Sequence, residues 1–198
     1  MKLKVCGMRE SKNIEQLEQL SPDWMGLIFY PDSKRFVGDW DIKTRLKKVG
    51  VFVNEATDRI QSTIRNYGLS VVQLHGGESV DQVREVKSMG VDVWKVFGVM
   101  DELPIVQMDL YEGEVDAFLF DTKTRDHGGS GEQFDWSILS DYSFDTPFLL
   151  SGGLDLDDVE KIKAMDLEQL IGIDVNSRFE IEPGLKNIEK IRELKKRL

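Results

Sequence analysis

Short apolar runs, rich in β-branched and aromatic residues, recur along the chain at intervals of about 22 residues, a spacing that accommodates a strand, a helix and two short loops. Between them lie polar segments of helical length. The pattern predicts eight strands: Leu3–Cys6, Met25–Phe29, Val49–Val53, Val71–Leu74, Val93–Val96, Ala117–Phe120, Phe148–Leu150 and Ile171–Val175.

Several of the intervening segments carry an apolar stripe on one side, which is typical of amphipathic helices. Thr57–Asn66 places Ile60 and Ile64 four residues apart, and similar stripes occur in Ser79–Lys87 and Asn187–Leu198. The helix prediction is weakest after Phe120, where the chain is polar and rich in glycine. Capping residues or a first-turn proline predict further helix starts at Ser11, Asp155 and Pro104.

The alternation of eight strands with helices favours a parallel sheet covered by helices, and eight such units close a (β/α)₈ TIM barrel. An open doubly wound sheet is the alternative, because periodicity does not reveal closure. No linker-like segment divides the chain. We therefore predict a single barrel domain over residues 1–198, which is near the minimal length for this α/β fold.

The charge balance is acidic, with 26 Lys and Arg against 36 Asp and Glu and a formal net charge of −10. This balance opposes nucleic-acid binding, which needs a basic surface. The single cysteine excludes an intrachain disulfide and a four-cysteine zinc site, and it favours a reducing, cytoplasmic location. No apolar stretch is long enough for a membrane helix.

Polar and glycine residues concentrate where the predicted strands end, which is the rim that carries the reactive groups in such barrels. Gly152 and Gly153 follow the seventh strand, and Asn176 and Ser177 follow the eighth. Many barrels bind phosphate at this position through backbone N–H groups. The alternative is that the glycines only shape turns.

The lone cysteine, Cys6, ends the first predicted strand, and Lys4 shares its inward face. A lysine inside a barrel must be paired or solvated, so we predict an ion pair with Asp174 on the last strand. The positive charge of Lys4 is also expected to favour a Cys6 thiolate. The alternative is that Cys6 is a small core residue.

An acid and a cation complete the candidate rim. Asp121 follows an apolar run, which predicts a raised pKa and suits proton donation, although it could instead cap the next loop. Together with Cys6 it would form an acid–base pair without a metal. Arg35 follows strand two and could bind a carboxylate or phosphate, or be a solvated loop charge. No nucleotide-binding loop is present around Gly128–Gly131, and His75 and His127 are too isolated to suggest a metal site.

Seven blocks, in order along nearly the whole chain, resemble the phosphoribosylanthranilate isomerase family of tryptophan biosynthesis. Each block alone is weak, whereas the ordered set is highly specific. The blocks are Lys4–Gly7, Gly26–Arg35, Val49–Asn54, Val72–Gly76, Asp121–Trp136, Leu150–Leu154 and Asp174–Lys186.

The resemblance implies a (β/α)₈ barrel that converts N-(5-phosphoribosyl)anthranilate to 1-(2-carboxyphenylamino)-1-deoxyribulose 5-phosphate. This is an Amadori rearrangement, an intramolecular redox reaction that needs no cofactor and no metal. By the family pattern, Asp121 is the general acid and Cys6 the general base. The implied binding residues are Arg35, Gln73 and Asp174 for the substrate and Gly152, Gly153, Asn176 and Ser177 for its phosphate.

One residue departs from the family pattern, since Arg178 stands where the phosphate loop usually has glycine. Arg178 could instead contact the phosphate directly. Two other readings remain: an isomerase of a related aminosugar phosphate, and a barrel that only binds a phosphorylated ligand. The histidine-pathway isomerase would carry aspartates on strands one and five, where this chain has Cys6 and Lys95. The expected partner is a small anionic substrate, and the chain is either a monomer or a homodimer.

Overall fold

Eight parallel strands close into a barrel in the computed structural model, which describes residues 1–38, 42–122 and 133–198. Each strand pairs with the next, and the last pairs with the first. The predicted fold class is therefore confirmed, and the open sheet is wrong. The strands are β1 (Lys2–Val5), β2 (Trp24–Ile28), β3 (Lys48–Phe52), β4 (Val71–Leu74), β5 (Asp92–Val99), β6 (Ala117–Thr122), β7 (Phe148–Leu150) and β8 (Leu170–Val175).

In the described residues, six α-helices cover the barrel: α1 (Ser11–Leu20), α2 (Thr57–Tyr67), α3 (Val80–Lys87), α4 (Ile105–Asp109), α5 (Val159–Ala164) and α6 (Ile188–Arg197). Short 3₁₀ helices occupy Trp136–Asp141, Leu156–Asp158 and Ser177–Phe179. The helical segments predicted between residues 57 and 66, 79 and 87, and 187 and 198 are confirmed. None of the helices in the described residues is long and apolar enough to cross a membrane.

In two strand-to-strand intervals the described residues lack the α-helix that the alternation predicts. The described residues between β2 and β3 contain no helix, and Pro31 and Gly38 interrupt this segment. After β6 the described chain forms a 3₁₀ helix at Trp136–Asp141, where the helix prediction was weakest.

The predicted helix starts have different outcomes. Asp155 caps the 3₁₀ helix Leu156–Asp158 in a reciprocal capping box with Asp158, as predicted. Ser11 is not a cap, because α1 already begins at Ser11 and Glu10 precedes it without a side-chain hydrogen bond. Pro104 directly precedes α4, in keeping with its fixed φ.

Alternate residues of each strand face two different apolar layers. Val72 and Leu74 of β4 face the helices, whereas Val71 joins Trp24 and Trp94 inside the barrel. The two indole rings meet edge to face at 4.9 Å. The same alternation directs Gln73 of β4 into the barrel, so the interior also contains polar side chains.

A small antiparallel hairpin was not predicted. Its strands are β9 (Glu180–Glu182) and β10 (Leu185–Lys186), and they lie between the 3₁₀ helix after β8 and α6. Pro183 and Gly184 form the turn, and Gly184 has a φ of 90°, which glycine tolerates without strain. The hairpin places Glu180 and Lys186 beside the barrel rim.

Candidate active site

Cys6 and Asp121 lie at the carboxyl end of the barrel, on strands three positions apart around it. Cys6 follows β1 directly and is buried, and its amide donates a hydrogen bond to the carbonyl of Val175 at 2.9 Å. Gly26 of β2 makes room for the thiol, since a Cβ at this position would lie 2.7 Å from Sγ of Cys6. Asp121 lies within β6, paired in register with Gly98 of β5.

The predicted ion pair between Lys4 and Asp174 is confirmed. Lys4 Nζ lies 2.6 Å from Asp174 Oδ2, and the two side chains are 0% and 5% exposed. The pair exists because closure of the barrel puts Lys4 of β1 in register with Asp174 of β8. Asp174 Oδ1 has no hydrogen-bond partner among the described residues. A buried acceptor in this state is available to a ligand.

The thiol of Cys6 is not acidified overall. Burial raises the pKa of Cys6, because the charged thiolate is poorly solvated there. The Lys4 ammonium lowers this pKa, as the sequence predicted, and Lys186 does so to a lesser extent. The expectation that Lys4 favours a thiolate is thus correct in sign, but burial outweighs it, and the thiol form predominates at neutral pH.

Burial raises the pKa of the Asp121 carboxyl to about 6, and the negative charge of Asp174 adds to the effect. The Thr122 amide donates to Asp121 Oδ1 at 2.9 Å and opposes the rise. Asp121 thus has the raised pKa that its apolar neighbours predict. It also caps the Thr122 amide, which was the alternative interpretation. Asp121 can therefore hold a proton at mildly acidic to neutral pH.

His75, whose role the sequence left open, lies beside Asp121. Its Nε2 is 3.6 Å from Asp121 Oδ2. Strand alternation provides the signal that could have found it, because His75 follows the inward-facing Gln73 by two residues. Gln73 Oε1 is buried and, like Asp174 Oδ1, lacks a partner among the described residues.

Arg35 reaches the rim, where its guanidinium binds a carboxylate of the protein. The guanidinium forms a bidentate ion pair with Glu180, with Nε 2.9 Å from Oε1 and Nη2 2.7 Å from Oε2. Gly7 lies against this group, since a Cβ there would be 2.7 Å from Arg35 Cδ and 2.8 Å from Asn176 Oδ1. Arg35 is therefore not the solvated loop charge of the alternative interpretation.

The four predicted phosphate residues lie in the turns that follow β7 and β8. Gly152 and Gly153 both have positive φ values, 88° and 62°. A Cβ on Gly152 would lie 2.7 Å from the Thr122 amide nitrogen, so this turn packs directly on the end of β6. Asn176 precedes the 3₁₀ helix that Ser177 begins.

Arg178 fits its position without backbone strain. It lies in the 3₁₀ helix Ser177–Phe179 and is not among the residues with a positive φ. The substitution of arginine for the glycine usual in the family therefore imposes no strained backbone here. The side chain is exposed at the surface of the turn.

Glu180 and Lys186 were missed as functional residues, although both fall within a block that carries the resemblance. Lys186 is buried, and its Nζ donates to Asn176 Oδ1 at 2.7 Å and to Glu180 Oε1. The available signal was the Pro183–Gly184 turn, which predicts a hairpin with charged residues on both sides.

The described residues contain no group of three or more His, Cys, Asp or Glu side chains arranged to hold a metal ion. His127 and the loop Gly128–Gly131 lie outside the described residues.

Comparison with known proteins gives one consistent result. The family model of N-(5'-phosphoribosyl)anthranilate isomerase matches residues 3–197. The curated relative from Parabacteroides distasonis with this name is 43% identical over 200 residues, which is 97% of this chain and 90% of the relative. The relative from Phocaeicola vulgatus is 44% identical over 189 residues, covering 94% and 92% of the two chains.

Solved structures agree. The phosphoribosylanthranilate isomerase of Thermotoga maritima is 32% identical with a TM-score of 0.87, over 100% of this chain and 98% of that one. A further phosphoribosylanthranilate isomerase, in complex with reduced 1-(o-carboxyphenylamino)-1-deoxyribulose 5-phosphate, is 28% identical with a TM-score of 0.82, over 100% and 97%. The chain belongs to the N-(5'-phosphoribosyl)anthranilate isomerase family, the isomerases of tryptophan biosynthesis.

Proposed function

We propose that this isomerase converts N-(5-phosphoribosyl)anthranilate to its aminodeoxyribulose phosphate with Asp121 as general acid and Cys6 as general base. The observation that carries the assignment is a carboxyl with a pKa of about 6 that lies across the barrel rim from the single thiol of the chain. Ring opening requires a proton donor, and a carboxyl with a pKa of about 6 keeps a protonated fraction near neutral pH that can serve as one.

In the first step, Asp121 donates its proton to the ribose ring oxygen. The C1–O bond breaks, and the lone pair of the anilinic nitrogen forms an iminium with C1. In the second step, Cys6 removes the proton from C2, and the C2–H electron pair moves toward the iminium nitrogen to form an enolamine. Protonation at C1 and loss of the enol proton then yield the ketone. The substrate's own nitrogen is the electron sink, so the steps balance without an added oxidant.

The raised pKa of Cys6 is compatible with this role because the iminium brings a positive charge to the site. Lys4 already lowers the Cys6 pKa against the effect of burial. An iminium next to C2 would act in the same direction, so the thiolate becomes more stable when it is needed.

Two buried acceptors without hydrogen-bond partners in the described part of the chain are suited to bind the hydroxyl groups of the ribose. Gln73 Oε1 and Asp174 Oδ1 are buried without partners among the described residues, and ribose hydroxyls are donors that would satisfy them. The grip of Arg35 on Glu180 would hold the guanidinium in one orientation for the anthranilate carboxylate. Gly152, Gly153, Asn176 and Ser177 would bind the phosphate, and Arg178 stands next to them as a further contact.

Turnover of freshly formed phosphoribosylanthranilate tests the catalytic roles. Cys6→Ala and Asp121→Asn should each lower kcat by about 10²-fold or more, the usual contribution of a general base or acid. Both variants should still bind reduced 1-(o-carboxyphenylamino)-1-deoxyribulose 5-phosphate, the compound bound to a solved relative. A Cys6→Ala variant with nearly wild-type kcat would refute the base assignment.

We also propose that residues 1–198 form one barrel domain that works in the cytoplasm as a monomer or homodimer. A dimeric relative is known from Thermotoga maritima. Sedimentation equilibrium distinguishes the two states of this chain.

A further inference from the structure

Five charged side chains lie around Cys6 and Gly7, and we call them the rim cluster. Inside the barrel, Lys4 pairs with Asp174, and on the outer side of Gly7, Glu180 binds two cations. Within the part of the chain that the structure describes, the cluster has one cation in excess. Its members are Lys4, Arg35, Asp174, Glu180 and Lys186.

Lys186 is the member that the proposed mechanism leaves unused. Its side chain is 0% exposed, and it reaches from the hairpin toward the backbone that carries Cys6. Its Nζ would lie only 3.4 Å from a Cβ on Gly7, the residue that follows the thiol. A lysine buried this deeply needs negative charge nearby, and Glu180 is already shared with Arg35.

We propose that Lys186 is a positioning residue whose buried ammonium stabilises the thiolate of Cys6 during catalysis. Ionisation of the thiol would cancel the excess positive charge of the rim cluster. Lys186 does not touch the reacting atoms in this account, and it acts through Cys6. The inference deepens the proposed function, since it rests on Cys6 as the base.

The charges on Lys186 and Cys6 influence one another. Lys186 lowers the pKa of Cys6, although less than Lys4 does, while Asp174 raises it. Burial lowers the pKa of Lys186 itself to about 8, against the opposing effects of Glu180 and Cys6. Lys186 is therefore mostly protonated at neutral pH, and its support is lost as the pH rises through about 8.

Alkylation by iodoacetamide provides a direct readout, because Cys6 is the only thiol in the chain. At neutral pH the rate follows the thiolate fraction. Lys186→Met should slow alkylation about tenfold, which corresponds to a Cys6 pKa higher by about one unit. Lys186→Arg keeps the charge and should restore most of the rate. Lys95→Met, which also removes a buried lysine from a carboxylate, is the matched control and should leave the rate unchanged.

Glu180→Gln gives a second test. Glu180 raises the pKa of Lys186, so its removal leaves Lys186 with a smaller protonated fraction at neutral pH, and alkylation should again become slower than in the wild type. Equal rates in the wild type and Lys186→Met would overturn the proposal. So would a Lys186→Arg rate as low as that of Lys186→Met, because loss of packing rather than loss of charge would then explain the effect.

Turnover separates this inference from the proposed function. If Cys6 is the base, Lys186→Met should lower kcat with little change in KM. Slower alkylation with an unchanged kcat would leave the effect of Lys186 on the thiol intact and refute Cys6 as the base.

Discussion

Two buried lysine–carboxylate pairs of this barrel have similar distances and burial but different roles. Lys4 and Asp174 meet inside the barrel at 2.6 Å. Lys95 and Glu78 meet at 2.8 Å beneath the turn that follows β4, and they are equally buried. Lys95 alternates with the inward-facing Trp94 and Val96, so it points away from the barrel interior.

The pairs differ in how completely their polar atoms are satisfied. Both oxygens of Glu78 accept hydrogen bonds, from the amides of Asn54 and Gly76 and from Lys95. Lys95 also donates to the carbonyl of Gly76 at 2.6 Å. In contrast, Asp174 Oδ1 has no partner among the described residues. The Lys95–Glu78 pair, in which both carboxylate oxygens are hydrogen-bonded, holds two loops in place. The Lys4–Asp174 pair instead keeps one oxygen as an acceptor for a ligand.

The largest expected effect follows from breaking the Lys95–Glu78 pair. Glu78→Gln leaves Lys95 buried without a countercharge and should lower the free energy of unfolding by about 3 kcal/mol. Urea denaturation measures this loss. The folded fraction should retain nearly wild-type turnover, and a large loss of kcat in folded Glu78→Gln would contradict the distinction between the pairs.

Breaking the Lys4–Asp174 pair should affect turnover most. Asp174→Asn replaces a charged acceptor for a substrate hydroxyl by a neutral one, and kcat/KM should fall about 100-fold, in keeping with the strength of hydrogen bonds to charged groups. Steady-state kinetics on folded protein measures the change. A fall no larger than that of Glu78→Gln would mean that the unpaired oxygen of Asp174 has no role in binding.

The pH profile sharpens the comparison further. With Asp121 as acid and Cys6 as base, kcat/KM should rise with pH up to about 6 and then level off, because loss of the Asp121 proton cancels the gain in thiolate. Asp174→Asn should move this break to lower pH, since the Asp174 charge raises the pKa of Asp121. Glu78→Gln is the control and should leave the break in place. A break that does not move in either variant would assign it to the substrate phosphate instead.

The smallest effect is expected at the surface. Glu114 forms an ion pair with Arg84 at 2.6 Å, but Arg84 is 57% exposed, and solvent screens the interaction. Glu114→Gln should shift Tm by less than about 2 °C and leave kcat unchanged. A shift as large as that of Glu78→Gln would show that burial does not separate the two kinds of pair.

Much of the site was accessible from local patterns. All eight strands were predicted, because buried strands between amphipathic helices leave a strong periodic signal. The principal errors in strand extent are at the ends of β5 and β6, which continue to Val99 and Thr122. The rim position of Cys6 and Asp121 followed from the strands, and the pairing of Lys4 with Asp174 followed from assuming closure.

Other features of the site depend on contacts between residues far apart in sequence, and no local sequence pattern indicates such contacts. The partner of Arg35 lies 145 residues away, on a hairpin that was not predicted. His75 meets Asp121 only because both point into the barrel rim. The pKa of Cys6 depends on how deeply the thiol is buried, and sequence neighbours could indicate only the opposing effect of Lys4.

The sequence by itself determined the strands, the amphipathic helices and the residue types at each strand end, because these follow from the local alternation of apolar and polar positions. The tertiary structure alone decided that the sheet closes, that burial outweighs Lys4 at Cys6, and that the rim cluster forms around Gly7. The physical reason is that closure, burial and charge pairing depend on the distances between distant parts of the chain.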